Sequence, residues 1–166
     1  MSLVPRLVRG ALAGAAGTLA MDLVWYRRQQ RDGSEQSFLE WELGGSPGSY
    51  DEAGPPAQVA RTLAGALGIE LPESSAGAAT NVVHWATGMG YAAVIQAVIG
   101  RRRNLAASGL ATGVGAFANS YAVLGALGIY QPIWEYDADT LRDDLTAHLV
   151  FGAATAVAYR VLARGR

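Results

Sequence analysis

The sequence predicts an all-α integral membrane protein, a four-helix bundle with short amphipathic helices in its first outer loop. Three observations carry this reading. Four apolar runs, residues 4–26, 80–100, 105–130 and 145–163, are each about long enough to cross a bilayer, because a hydrocarbon core of ~30 Å takes roughly 20 mostly apolar residues in helix. The runs are too long and too rich in Ala and Leu for barrel strands, the other structure that hides its backbone polar groups in lipid. Arginines and acids also sort to opposite ends of the runs. At 166 residues the chain fits one domain. Mean hydropathy is only +0.16, because the polar stretch 27–79 dilutes it and Ala and Gly replace Ile and Phe. The soluble alternative is an Ala/Gly-rich helical bundle.

Arg6 and Arg9 stand at the head of the first run, which ends in Trp25-Tyr26-Arg27-Arg28. It is longer than a signal-peptide core and lacks a small-residue cleavage site, so a retained helix is expected. In the first outer loop, residues 27–79, Ser46-Pro47-Gly48-Ser49 and Gly54-Pro55-Pro56 mark turns. Residues 36–43 read as a short amphipathic piece. Residues 56–67 read as a helix with proline at its start, one stripe of Val59, Ala60, Leu63, Ala64 and Leu67, and Gly68 as its stop. These pieces fit either a lid over the bundle or a connector lying on the bilayer, and the connector is favoured. In the second outer loop, 131–144, five acids point to solvated carboxylates, since no glycine supplies the turn of a calcium loop. Asp143 and Asp144 suit the N-terminus of the fourth helix, and Thr140 is its expected N-cap.

Charge sets the expected orientation. Arg6 and Arg9, Arg101-Arg102-Arg103, and Arg160, Arg164 and Arg166 lie at one set of helix ends, which the positive-inside rule places in the cytoplasm. Both termini are then cytoplasmic. Every acid except Asp22 falls in or beside the outer loops. Arg27, Arg28 and Arg31 run against the pattern. Trp25, Tyr26, Tyr130 and Trp134 sit where interfacial aromatics concentrate, and Trp85 reads as a packing residue.

Gly10-x-x-x-Gly14 with Gly17, Gly109-x-x-x-Gly113 with Ala116, and Gly88 with Gly90 allow close backbone approach between helices. A compact bundle follows, without a wide pore. The polar residues inside it are few. Asp22, His84 and His148 each lie about four residues in from the outer end of a run, about 6 Å deep at 1.5 Å per residue. They are the chain's two histidines and its one membrane-embedded acid. Asn81, His84, Gly88 and Tyr91 share a stripe of the second helix, and Asp144, His148, Gly152, Thr155 and Tyr159 a stripe of the fourth. Ionisable residues in membrane helices face protein, so both stripes should turn inward. The expected intramembrane polar site is therefore Asp22, Asn81, His84, Asp144 and His148, with Asn119, Ser120 and Gln96 deeper. The structural alternative pairs Asp22 with Arg27 or Arg28, and Asp144 with His148 four residues on.

The Gly/Ala-rich first helix, the NVVHWATGMG segment around His84 and Trp85, and the AHLVFG segment around His148 resemble the YagU-like family of small bacterial inner-membrane proteins. The resemblance covers about a third of the chain and leaves the outer segment aside. It implies helical architecture and a bacterial inner-membrane location, and carries over no catalytic residue, cofactor or substrate.

Three functions fit these residues. A His/carboxylate site near the outer face would serve proton or ion handling, since histidine titrates near neutrality. An accessory or scaffold subunit, or a homo-oligomer, would use the small-residue helix faces to dock in the membrane. A cofactor protein would hold haem between His84 and His148, or a divalent metal on His84, His148 and Asp22. The lipid bilayer is the expected partner. A net charge of −1 gives no reason to expect nucleic acid, and the absence of cysteine excludes thiolate chemistry. No H-E-x-x-H or phosphate loop is present, so an enzyme is the weaker reading.

Overall fold

The computed structural model describes residues 2–44, 47–99 and 104–164. The Arg101–Arg103 group, Arg166 and Ser46 of the first turn lie outside them. The described residues form six α-helices and no strand: α1 Leu3–Arg31, α2 Phe38–Gly44, α3 Pro55–Ala66, α4 Ala76–Ile99, α5 Leu105–Ala126 and α6 Ala138–Arg164. Three stretches are long and apolar enough to cross a membrane, Leu3–Arg31, Glu73–Ile99 and Ala138–Arg164. Helix α5 is not among them, because glycines, Asn119 and Ser120 lower its hydropathy.

Helix ends depart from the apolar runs for local reasons. Helix α1 continues five residues past Tyr26 through arginine and glutamine, both good helix formers, and Arg28 and Arg31 suit the negative end of its dipole. It stops at Gly33, φ +94°, in a Schellman turn with Gly33 N–H on Gln30 O and Ser34 N–H on Gln29 O. Gly128, φ +70°, ends α5 in the same way, four residues before the apolar run does. Helix α6 starts seven residues earlier than its hydropathy. Its cap is Asp137, not Thr140: Asp137 Oδ1 accepts from Thr140 N–H at 2.8 Å and Oδ2 from the Thr140 hydroxyl at 2.7 Å. Asp143 and Asp144 are thus helical, and the second loop is shorter than 131–144.

Those hydrogen bonds hold the Asp137 carboxyl below its usual range. A depressed carboxylate stabilises the fold above its unfolded pKa and ceases to do so as pH falls through its folded value. Asp137→Ala should therefore lower the thermal midpoint at pH 7. The difference from the parent protein should shrink as the pH falls through the folded value, below the ordinary carboxylate range, where both forms lack an ionised cap. A midpoint gap unchanged across that range would remove Asp137 as the cap.

The long helices pack in the order α4, α1, α6, α5. Helix α1 lies between α4 and α6, α5 rests on α6, and α4 touches α5 only lightly. Glycine makes these contacts close. A Cβ on Gly10 would stand 2.6 Å from Ala93 Cα, and one on Gly14 2.8 Å from the Gly88 carbonyl, so α1 and α4 approach backbone to backbone. Gly17 faces Thr155 and Phe151 of α6. Gly109 and Gly113 face Gly152, Ala153 and the His148 carbonyl. Gly90, grouped with Gly88 on sequence, has open space beside it and makes no such contact.

Residues 32–44 and 47–75 form a cap over one end of the bundle. Ser37 and Glu40 open α2 as a capping box, with Ser37 N–H donating to Glu40 Oε2 at 2.8 Å and Glu40 N–H to Ser37 Oγ at 3.3 Å. Phe38 and Trp41 then stack on Tyr26 of α1. Helix α3 starts at Pro55, one residue before its expected start, and ends at Gly68, φ +71°. It packs on α4 through a small core of Tyr50, Ala53, Ala57 and Ala76. Tyr50 is fully buried, and its hydroxyl donates to Ser75 Oγ at 2.9 Å, because the Ser75 proton is already given to Pro72 O. The predicted apolar stripe of α3 is only half used: Leu63 and Leu67 stay exposed, with Leu39 and Leu43 of α2.

Candidate functional site

Glycine contacts fix the register of the antiparallel pairs. Thr18 of α1 stands against Gly88 of α4, so one turn further along each helix Asp22 meets His84. His84 Nε2 lies 2.8 Å from Asp22 Oδ1. An ionised carboxylate only accepts, so the imidazole donates from Nε2, and Nδ1 is the position where a further proton is gained or lost. The Asp22 side chain is 4 % exposed and that of His84 27 %. Asp22 Oδ2 is buried with no hydrogen-bond partner among the described residues. A buried carboxylate needs several donors to offset its lost hydration, and one imidazole supplies a single bond.

Both residues line a cavity of about 430 Å³ beneath the cap. Its walls are Trp25 of α1, Trp41 and Glu42 of α2, Glu52, the Pro55-Pro56 start of α3, and Thr80 and Asn81 of α4. Glu42 reaches α4, where its Oε1 accepts from Trp85 Nε1 at 2.8 Å. Burial is the main cause that pushes the Glu42 carboxyl above its usual range, with the Asp22 charge adding to it and the Trp85 bond opposing it. Asn81 belongs to the cavity wall, and its amide donates to Gly77 O at 3.4 Å.

The expected meeting of three groups does not occur. The contacts of Arg28 with Asp143, and of Gly17 with Thr155, place His148 at the level of Asp22 along the helices. It shares the level of Asp22 along the helices, but its direction is not the expected one. His148 lies in the α5–α6 contact, its ring edge-on to Phe117 at 5.8 Å. Its Nδ1 donates to Asp144 O at 2.9 Å and stands 3.3 Å from Asp144 Oδ1. Tyr121 joins Tyr130 and Tyr136 in an aromatic cluster. The alternative pairing of Asp144 with His148 therefore holds, whereas Asp22 pairs with His84 and not with Arg27 or Arg28. Among the described residues no group of three His, Asp or Glu side chains is placed to hold a metal ion. The His84, His148 and Asp22 ligand set is thus split, and the two imidazoles occupy different helix contacts.

The chain was compared with protein-family models, curated proteins and solved structures. None of the three comparisons finds a match.

Deeper polar residues form a third, separate cluster. Gln96 of α4 is buried and donates from Nε2 to Thr112 Oγ1 at 2.8 Å, while Ser108 Oγ donates to Gln96 Oε1 at 3.3 Å. This links α4 to α5 where they touch. Asn119 is exposed on α5, and Ser120 donates to its own helix at Phe117 O. Neither extends a path from His84. Sequence reasoning missed Glu42 and Trp41 as parts of the site. The available signal was two acids and two aromatics in the amphipathic segment 36–43.

Proposed function

We propose that this chain is a multi-pass protein of the bacterial inner membrane, with four spanning helices and both termini in the cytoplasm, that handles protons or ions at the His84–Asp22 pair. The observation that carries the reading is the 2.8 Å contact between a buried carboxylate and an imidazole at the floor of a cavity. Histidine is the side chain whose ordinary pKa sits nearest neutrality, and ionisable groups inside a spanning bundle mark proton and ion pathways.

Several features support the membrane setting. Val4, Val8, Leu12, Leu19 and Leu23 form one stripe along α1, 40–67 % exposed and turned away from the other helices. Water would face an apolar strip there, whereas lipid matches it. Leu110 and Val114 are likewise exposed on one face of α5, which supports it as the fourth span despite its lower hydropathy. The arginine distribution supports an outer position for the cap and the cavity. The bacterial inner membrane is the location that the YagU-like resemblance implies.

Reconstitution tests this. In liposomes under an imposed pH gradient, the protein should collapse the gradient faster than protein-free vesicles do. His84→Gln and Asp22→Asn, each checked for helical content and monodispersity, should lose most of that increment. His148→Gln should retain it, because His148 belongs to the α5–α6 contact. Equal rates with and without protein, or an undiminished rate in both His84 and Asp22 variants, would overturn the reading.

A further inference from the structure

The cavity that holds the His84–Asp22 pair has walls of unusual chemistry. Three carboxylates line it, Asp22, Glu42 and Glu52, and no arginine does. This is so although Arg28, Arg31 and Arg61 belong to neighbouring segments. Arg28 is drawn aside, its guanidinium over the Trp25 ring at 4.8 Å and bonded to Asp143 O at 2.8 Å. Arg61 pairs with Asp51 at 2.8 Å. The cavity thus keeps net negative character even with His84 protonated.

Two further observations narrow what fits. Asp22 lines the cavity, and its Oδ2, buried within a side chain only 4 % exposed, is an unpartnered acceptor. It calls for a hydrogen-bond donor. The remaining wall is largely apolar or aromatic, with Trp25, Trp41, Pro47, Pro55 and Pro56. A bare divalent ion does not suit such a wall, since calcium takes six to eight oxygen ligands and magnesium an octahedral set. A cation with an apolar body does, because indole faces attract positive charge and proline and indole surfaces bury hydrocarbon.

We propose that this cavity binds a small protonated alkylamine. Its ammonium head donates to Asp22 Oδ2 beside His84, with Glu42 as the second countercharge, and its hydrocarbon body lies against Trp25, Trp41 and the Pro55-Pro56 edge. The inference names the cation class of the site proposed above and rests on that reading of His84 and Asp22. The head must carry N–H. A quaternary ammonium of the same size satisfies the charge and leaves the carboxylate oxygen unbonded, so it binds more weakly.

Intrinsic tryptophan fluorescence of the full chain in lipid nanodiscs tests this, using n-butylammonium, tetramethylammonium, sodium and the neutral isostere n-butanol at constant ionic strength. Butylammonium should give a saturable change and butanol none. Tetramethylammonium should bind about tenfold more weakly, the loss expected for one charge-assisted hydrogen bond. Asp22→Asn should weaken butylammonium about tenfold or more. Glu42→Gln should weaken it several-fold while keeping the acceptor for Trp85, which guards against a folding defect in the Asp22 variant. Equal binding of butanol and butylammonium, or full affinity in both carboxylate variants, overturns the proposal. The two readings fail separately. Loss of amine binding alongside gradient collapse that depends on Asp22 removes the amine and leaves the proton site. Amine binding without such collapse does the reverse.

Discussion

Gly152→Ala is expected to detach α5 from α6. An added Cβ at this position would collide with Gly109 O and with Gly113 N, and would stand 2.7 Å from Gly113 Cα. All three atoms are backbone, so no side-chain rotamer relieves the overlap, and the helices must separate along the whole Gly109–Gly113 contact. Overpacking a close contact costs about 1–3 kcal/mol, and the absence of a flexible neighbour places this site at the upper end. Gly90→Ala is the matched control. It lies within α4 with open space beside its Cα, so alanine should stabilise it by about 0.5–1 kcal/mol through the backbone freedom that glycine loses on folding. Reversible unfolding in mixed detergent micelles measures both. Two shifts of the same sign would show that helix propensity, not the α5–α6 approach, decides the outcome.

His84→Leu should destabilise the fold by about 3 kcal/mol, since removing one partner of a buried pair leaves a charge without compensation. Asp22 then keeps neither of its oxygens bonded, because Oδ2 has no partner even in the intact protein. The double variant Asp22→Leu with His84→Leu should recover most of that loss, as apolar replacement of a buried ion pair is often neutral or better. It should also be inactive in the gradient assay. Recovered stability with lost transport would mark the pair as kept for its chemistry. A double variant as unstable as His84→Leu alone would assign it instead to holding α1 against α4.

Much of this architecture was legible because hydropathy reports where a helix is apolar. It does not report where a helix ends. Helix α6 begins seven residues before its apolar run because Asp137 caps a polar first turn, and α1 outlasts its run because arginine and glutamine continue a helix as readily as leucine. That Asp22, His84 and His148 share one level along the helices was readable by counting residues. Which way each side chain points depends on the order α4, α1, α6, α5, and chain order does not reveal that. Asp22 lies on the side of α1 toward α4, whereas His148 lies on the side of α6 toward α5. Glu42 and Trp41 come from the cap, and Trp85, which Glu42 contacts, is 43 positions further on. No local periodicity encodes such a contact.

The position of α5 has a consequence for synthesis. Its extensive neighbour is α6, which leaves the ribosome after it, while α4, made before it, offers little surface. The glycine face of α5 must therefore wait uncovered for the next segment to arrive, whereas α1 and α4 can pair at once. A stall between the two, or a truncation before residue 138, should leave a packed α1–α4 pair beside an orphaned α5.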